Sequence, residues 1–417
     1  MAALNQCAGF RHDNACSETG GRRMAQYSGP SLAGLASPLE AFQPADIDDQ
    51  LAGILGQIHE HQVPQSAADA LDRLYGSLYA SYRFQRLCDP SVLPHVWIGY
   101  QRGEIVGVLL FDIHSERVRV MTEMFALSEE VASAFCRDVF SRYHDVRHID
   151  FNAIGLASRM SQLACQYFAF SENYILQAPA SVEQYEQALG KSTRKTLRGY
   201  RNRLLREHPG FEWRCCTSDE LPRHAQRALV RQLQEFKRAS MAARGKRAEI
   251  SRRETARMLK LASETGLIGI ARFDGRIVGG SLACRVGDNY VMLLSAADPA
   301  LESYRLGMLC CFWSVCDCIR VGARECHLLW GRYQYKTQLL GQARPLYRLT
   351  IYRSPLQMAL SPASVMRMSW MSVRHRLRNW IVERTHERND GLSQLLNGAL
   401  QFVRASLARL QQLRGMN

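Results

Sequence analysis

The chain has 417 residues, 47% of them apolar, and a formal net charge of +14. That length and apolar content are typical of two or three folded domains. The charge predicts an anionic partner such as a CoA-type nucleotide, RNA or acidic lipid; alternatively, it serves only to keep the protein soluble. No apolar run reaches the ~18 residues that span a bilayer, and the amino terminus lacks a signal-peptide layout, so we expect a cytoplasmic protein.

The first part of the chain predicts an unstructured segment and then an α/β unit. Residues 1–45 are rich in Gly, Ser, Ala and Pro and are expected to be disordered, with Met24 as an alternative start. A helix is predicted from Ser66 to Tyr82, because Ser66 and Asp69 match a capping box and apolar residues recur at helical spacing. A hairpin, a strand, a helix and a strand are predicted to follow at 95–113, 117–124, 128–143 and 146–154.

A short pattern that occurs twice indicates the architecture. Residues 102–110 and 274–282 both read x-Gly-x-Ile-Val-Gly-x-x-Leu, and each copy lies between two apolar, β-prone runs. A glycine-containing turn between such runs is typical of a hairpin. Because a strand, a helix and another strand are predicted after both copies, we interpret the chain as two copies of one α/β unit.

The second unit is predicted to open with a long helix, capped by Ser181 and Gln184. Its outer face is basic, and it either binds an anion or simply faces water; the residues are Lys191, Arg194, Lys195, Arg198 and Arg201. A basic loop follows at 244–247, and Ser251 with Glu254 forms another capping box. Further strands are predicted at 211–216, 290–296, 325–330 and 346–352, a hairpin at 267–286, and helices at 221–238, 251–265 and 303–321.

A loop at the start of a helix is the first candidate site. After the strand 290–296, the segment from Asp298 to Gly307 leads into a buried helix. Backbone N–H groups at a helix start, together with the helix dipole, bind phosphate, and Gly307 lets the backbone approach a pyrophosphate. Asp298 is included in the candidate catalytic set, and the candidate cofactor-binding residues are Tyr304, Arg305, Leu306, Gly307 and Met308.

Tyr335 and Lys336 form the second candidate site. They follow the strand that ends near Gly331, where active-site groups of open α/β sheets tend to lie. We predict that Lys336 contacts a phosphate or the developing oxyanion and that Tyr335 acts as an acid, with a solvated loop as the equally weighted alternative. No C-x-x-C pair occurs among the thirteen cysteines, so no metal site is expected.

The segment 356–417 is predicted to be a basic helical extension. Its arginines alternate with Met, Trp and Leu, which suits either packing on the core or contact with an anionic surface. Among these residues are Arg367, Trp370, Arg374, Arg376, Leu377, Arg378, Trp380, Ile381, Arg384 and Arg388.

Residues 181–353 resemble the Fem-type branch of the GNAT acyltransferase superfamily, and most of all the CelD/BcsL-like acetyltransferases. The resemblance rests on the order of several motifs, and residues 95–155 are similar to the degenerate first unit of such proteins. The motifs are the basic helix from Lys191 to Arg198, the hairpin 273–279, the Asp298-Pro299 to Leu306-Gly307 junction, and Gly331 with Tyr335-Lys336. The superfamily's phosphate loop has two small residues, whereas Tyr304–Leu309 has only Gly307.

The resemblance implies an α/β fold of two tandem GNAT-like units, with mixed central sheets flanked by helices and basic C-terminal helices. The expected domains are a first, degenerate unit at 46–175 and a second, catalytic unit at 176–355. Two acids, Glu129 and Glu130, follow Ser128 where phosphate would bind in the first unit, so we expect the second unit to be active.

Three functions remain open at this stage. The first is transfer of an acyl group from acyl-CoA, such as acetyl-CoA, to an amine or hydroxyl of a small molecule or glycan precursor, in envelope, polysaccharide or secondary metabolism. The second is aminoacyl-tRNA-dependent transfer, also found in the Fem branch, although no sustained heptads indicate a coiled-coil arm. The third is a non-catalytic scaffold. No permanently bound cofactor is expected, and a peripheral contact with the inner membrane through the C-terminal helices is a further expectation.

Overall fold

The computed structural model describes residues 53–243 and 251–387. The predictions for residues 1–45, for Met24, for the basic loop 244–247 and for the extension beyond Glu387 lie outside the described residues. Within the described part of the chain, no helix is long and apolar enough to cross a membrane.

The first unit contains seven strands and three helices in the described residues. In chain order they are β1 Leu55–His59, α1 Gln65–Tyr75, α2 Tyr82–Cys88, β2 His95–Gln101, β3 Glu104–His114, β4 Arg117–Val120, β5 Ala126–Leu127, α3 Glu129–Arg142, β6 His148–Leu156 and β7 Cys165–Gln177.

Two helices and the second unit follow, and two further helices end the described chain. They are α4 Val182–Ala188, α5 Lys191–Glu207, β8 Phe211–Thr217, α6 Arg223–Ala242, α7 Arg252–Thr265, β9 Gly266–Phe273, β10 Arg276–Val286, β11 Asn289–Ala297, a 3₁₀ turn Pro299–Tyr304, α8 Leu306–Arg320, β12 Glu325–Leu329, α9 Gln334–Gln338, β13 Gln342–Tyr352, α10 Pro355–Ala359 and α11 Pro362–Glu387.

The predicted repeat of hairpins is confirmed at the level of backbone angles. The β2–β3 turn has φ of 52° at Arg102 and 78° at Gly103, and the β9–β10 turn has φ of 48° at Asp274 and 79° at Gly275. Two residues with positive φ form the type I′ turn, whose twist matches that of the flanking strands. The fold class is therefore confirmed as α/β, with a large mixed sheet flanked by helices.

The two units share one sheet, because each places its last strand in the other's half. The order is β1-β2-β3-β4-β6-β13-β7-β12-β11-β10-β9-β8, with β5 beside the end of β6. Strand β13, from the second unit, pairs with β6 of the first, and β7, from the first unit, pairs with β12 of the second. The expected boundary at residue 175 falls inside β7.

The hydrophobic cores follow the same exchange. Leu349 and Ile351 of β13 are buried in the core of the first unit, among the side chains of α3 and β6. Tyr174 and Leu176 of β7 are buried in the core of the second unit, among the side chains of α8. Neither core is therefore complete without a strand from the other unit.

Two predicted helices are wrong in extent, and glycine explains both errors. The helix expected from Ser66 to Tyr82 begins at Gln65 without a side-chain cap and ends at Gly76, whose φ is 51°. Asp69 does not cap it but accepts a hydrogen bond from the side chain of Gln65. The long helix expected from Ser181 breaks at Gly190, a poor helix former, into α4 and α5.

The predicted caps at Ser181 and Ser251 are confirmed, and Ser128 caps its helix in the same way. In each case the serine hydroxyl accepts a hydrogen bond from the backbone N–H three residues later, at 3.1–3.3 Å. These bonds fix the starts of α3, α4 and α7.

Replacing Leu349 by alanine should destabilise both units at once. The side chain is fully buried, and truncation of such a leucine costs about 2–5 kcal/mol. Peptide-resolved hydrogen exchange should therefore show lost protection in residues 95–120 as well as in 266–297. Leu205→Ala, at an exposed position of α5, is the control and should leave both regions within about 0.5 kcal/mol of wild type. Lost protection confined to either of these two regions alone would contradict the shared core.

Candidate active site at the parting of strands β11 and β12

The candidate site begins where two parallel strands separate. Strands β11 and β12 pair only over Asn289–Val291 and Glu325–His327, at the start of each strand. Beyond this point β11 stays alongside β10 as far as Ala297, with a bulge in the register after Leu282. No other described strand pairs with residues 292–297 on the side facing β12. The backbone of β11 is thus left as a sheet edge in the middle of the sheet.

The start of helix α8 lies just after this edge. Arg305, with φ of 51°, turns the chain into the helix and provides no side-chain cap. The N–H groups of Met308 and Leu309 donate to the carbonyl oxygen of Arg305. The N–H groups of Leu306 and Gly307 belong to the first turn, which has no partner inside a helix. A Cβ atom at Gly307 would meet nothing within 4 Å, so the surroundings of this turn are open.

The corresponding place in the first unit is filled by the chain itself. Strand β4 also parts from β6 after three paired residues, but residues 124–127 then follow β6. The backbone N–H of Met124 donates to Ala153, and that of Gly155 donates to Phe125. The start of α3 is capped by Ser128 and carries Glu129, which accepts the N–H of Gln162 at 2.6 Å. Both the edge and the helix start are therefore occupied in the first unit.

A buried polar cluster lies beside the edge of β11. The Cys311 thiol of α8 donates to the Ser295 hydroxyl of β11 at 3.2 Å. Tyr335 of α9 also hydrogen-bonds to Cys311, and the Lys336 ammonium group adds a positive charge nearby. Burial raises the pKa of the Cys311 thiol, although these neighbours oppose the shift. Cys311 is therefore a neutral donor and acceptor that joins the strand to Tyr335.

Lys336 is buried, so the alternative of a solvated loop is wrong for this residue. Its Nζ donates to the carbonyl oxygens of Leu329 at 2.9 Å and Trp330 at 2.6 Å, and it lies 5.2 Å from the centre of the Tyr174 ring. Burial is the main reason that its pKa falls to about 8.

The carbonyl groups that Lys336 binds belong to a strained strand end. Leu329 has φ of 58°, a left-handed conformation that costs a non-glycine residue about 1–3 kcal/mol. In the first unit Ala153, at nearly the same place of β6, has φ of 52°, and its carbonyl accepts the backbone N–H of Met124. The carbonyl of Ala153 thus receives a backbone N–H from residues 124–127, whereas the carbonyl of Leu329 receives the side-chain ammonium group of Lys336.

Several predicted site residues have other partners. Asp298 caps the 3₁₀ turn by accepting the N–H of Ala300 and pairs with Arg276 at 2.8 Å. The Tyr304 hydroxyl donates to Glu207 of α5 at 2.7 Å, which holds the pKa of that carboxyl at about 2. The side chain of Leu306 is buried, so only its backbone can face a ligand. The side chains of Asp298 and Tyr304 therefore have partners within the fold, and the roles predicted for these residues stay predictions.

The basic face of α5 divides into two parts. Arg194, Arg198 and Arg201 line an open cavity of about 70 Å³ against α8, whose floor includes Phe312 and Trp313. Lys191 and Lys195 are exposed on the same helix but do not line this cavity. The structure thus brings together three of the five basic residues predicted for this face of the helix.

Sequence reasoning missed Ser295 and Cys311 as site residues. Cys311 lies in an apolar helix with three other cysteines, so the pattern indicated only a small buried residue, which it is. Ser295 lies in the second half of β11, and Cys311 lies in the helix that follows. Their contact could be foreseen only with knowledge of the strand register. In the described residues, no group of three or more His, Cys, Asp or Glu side chains is arranged to hold a metal ion.

Part of the chain matches a known family, and the fold has relatives among solved structures. The sequence profile of a family described as acetyltransferase (GNAT) domain matches residues 191–337. The solved structure of FemX is 10% identical, covers 73% of this chain and 99% of its own, and has a TM-score of 0.53. No curated protein matches the sequence.

Two other solved structures are more distant. A tandem GNAT protein from the clavulanic acid biosynthesis pathway is 11% identical, with 72% of this chain and 99% of its own covered and a TM-score of 0.35. L-PGS from Bacillus licheniformis is 13% identical, with 63% and 85% covered and a TM-score of 0.38. Residues 191–337 thus match the acetyltransferase (GNAT) domain family, and the chain shares its fold with FemX.

Proposed function

We propose that the protein transfers an acyl group from an acyl-CoA thioester to an amine or hydroxyl acceptor, and that the second unit performs the reaction. The observation that carries this proposal is the contrast at the parting strands. In the first unit, residues 124–127 occupy the gap between the separating strands, and Ser128 caps α3. In the second unit, no described residues pair with the edge of β11 in this way, and no side chain caps α8.

The chemistry of acyl-CoA suits this arrangement. The pantetheine arm of CoA has two amide groups, which can pair with the N–H and C=O groups along residues 292–297 as an added strand would. Its pyrophosphate is an anion suited to the N–H groups of Leu306 and Gly307 at the start of α8. An aminoacyl ester of tRNA has no amide arm of this kind, so the free strand edge favours the thioester.

The reaction needs positioning and charge stabilisation. The lone pair of the acceptor nitrogen or oxygen attacks the thioester carbonyl carbon, forming a C–N or C–O bond and a tetrahedral oxyanion that a backbone N–H of β11 stabilises. Collapse breaks the C–S bond and releases the CoA thiolate. Tyr335 gives its phenolic proton to that thiolate and regains a proton that the acceptor loses.

Lys336 is best understood as a positioning residue. Because its ammonium group binds two backbone carbonyls, it holds the strained end of β12 and the start of α9, where Tyr335 lies. A direct contact of Lys336 with a phosphate or with the oxyanion, which the sequence suggested, would require it to leave these carbonyls.

A second candidate is aminoacyl-tRNA-dependent transfer, which the cavity beside α5 favours. Arg194, Arg198 and Arg201 succeed one another along one helix face and line the same cavity as Trp313, a combination that suits successive phosphates and a stacked base. A thermal shift by acetyl-CoA at low concentration would support the first function. A shift by tRNA alone, weakened steeply by salt, would support the second. No shift by either ligand would support a non-catalytic scaffold.

The acceptor and the pathway stay predictions. The resemblance to polysaccharide-linked acetyltransferases favours a glycan precursor or another small molecule with a free amine or hydroxyl. A screen of acceptors with radiolabelled acetyl-CoA is the direct way to identify it.

Gly307→Glu should weaken donor binding without unfolding the protein. The substitution places a carboxylate at the start of α8, as Glu129 does at the start of α3, and repulsion of the pyrophosphate should raise the KM for acetyl-CoA about tenfold. The site is open, so the side chain fits. Gly199→Glu, on the exposed face of α5 with no atom within 4 Å, is the matched control and should leave KM unchanged. Equal KM values in both variants would contradict donor binding at Gly307.

Tyr335→Phe should lower kcat by about 100-fold or more, because it removes the proposed proton donor to the leaving thiolate. Tyr333 stacks on Tyr335 at 5.9 Å and is more exposed, so Tyr333→Phe is the matched control. We expect the control to keep wild-type turnover. A folded Tyr335→Phe variant with unchanged kcat and pH profile would exclude Tyr335 as the acid.

Removal of the Lys336 charge should change how stability depends on pH. The pKa of Lys336 is about 8 in the folded chain and near its ordinary 10.5 in the unfolded chain, so the unfolded chain holds more protons between these values. The wild type should therefore gain up to about 3 kcal/mol relative to Lys336→Met as the pH rises from 8 to 10.5. Urea unfolding across this range measures the difference, with Lys336→Arg as a second non-titrating variant. Parallel pH profiles would contradict a buried ammonium group.

A further inference from the structure

Helix α11 lies against the sheet with only one of its faces. Met368 and Ser372 on that face are buried. Arg367 binds Asp150 of β6 at 3.1 Å, and Gln166 of β7 donates to Ser369 at 3.4 Å. These contacts fix the rotation of the helix, so the opposite face is turned away from the sheet.

The outward face of α11 is an apolar stripe. Its five large side chains are between 49% and 68% exposed and follow one another at alternating spacings of four and three residues. Such spacing keeps them on one side of a helix. The stripe consists of Met366, Trp370, Val373, Leu377 and Trp380, and Leu356 and Leu360 of the adjacent α10 are also exposed. The sequence left two interpretations of this segment open, packing on the core and contact with an anionic surface. Packing on the core describes Met368, but it does not describe the stripe.

The charge around the stripe has one sign. At 3.6 residues per turn, Arg374 and Arg376 lie about 80° to either side of the centre of the stripe, and both are exposed. The sequence has no Asp or Glu from Cys326 to Val382, a stretch that also contains the arginines of β13. An apolar stripe with tryptophans, flanked on both sides by arginine, suits the boundary between acyl chains and anionic headgroups.

We propose that the stripe of α11 docks on the surface of an anionic lipid bilayer. A second copy of the chain fits less well, because paired stripes would place the flanking arginines of one helix beside those of the other, and their like charges would need a counter-charge. Lipid phosphate and carboxylate groups supply that missing negative charge. The inference is independent of the donor proposed for the second unit, because α11 takes no part in that site.

Co-sedimentation of the full-length protein with vesicles tests this inference. Vesicles of 30% phosphatidylglycerol in phosphatidylcholine, roughly the charge density of an anionic leaflet, should bind the wild type at low salt and much less at high salt. Vesicles of phosphatidylcholine alone should bind weakly. The double variant Trp370→Ala/Trp380→Ala should lose at least about tenfold in partitioning, since both rings leave the interface.

Two controls separate the lipid from other occupants. Leu93→Ala removes an equally exposed apolar side chain at a distance from α11 and should bind vesicles as the wild type does. Arg374→Glu/Arg376→Glu should lose binding to anionic vesicles while it keeps the melting temperature of the wild type. Failure of the wild type to bind anionic vesicles, or equal binding by the tryptophan variant, would overturn the proposal. So would a dimer, seen by sedimentation without lipid, that the tryptophan variant abolishes while vesicle binding persists.

Discussion

Strands β7 and β13 pair along ten residue positions, and the rest of the structure depends on that pairing. Each strand completes the hydrophobic core of the unit to which it does not belong in sequence. The pairing also fixes where β6 and β12 run, and so where each parts from its parallel neighbour. A change that separated β7 from β13 would therefore disturb both cores and the candidate site together.

The same backbone geometry has two outcomes in the two units. Both have a strand end with a left-handed residue, at Ala153 in one and Leu329 in the other, and both need a donor for the carbonyl that this turn exposes. The first unit uses the backbone of residues 124–127, which occupies the gap between β4 and β6. The second uses the buried Lys336, which leaves the edge of β11 available. That single difference in donor supports the proposal that the second unit is the catalytic one.

The sequence predicted the features that depend on local patterns. The hairpins, the caps at Ser181 and Ser251 and the basic face of α5 are set by residues close together in the chain, and they are found where expected, whereas the cap expected at Ser66 is not. Strand β7 was not predicted, because its first half mixes polar, aromatic and small residues without a clear apolar face, and its partners come from distant β12 and β13. The Ser295–Cys311 contact and the burial of Lys336 also depend on long-range register, which composition and spacing do not encode.

Hydrogen exchange with and without acetyl-CoA tests the central claim most directly, because it reports each backbone N–H of the proposed donor site. If the donor adds to the edge of β11 and to the start of α8, residues 292–297 and the N–H groups of Leu306 and Gly307 should become protected. Residues 121–131 of the first unit should be unchanged. Protection at Ser128–Val131, or none in either unit at saturating acetyl-CoA, would contradict the account.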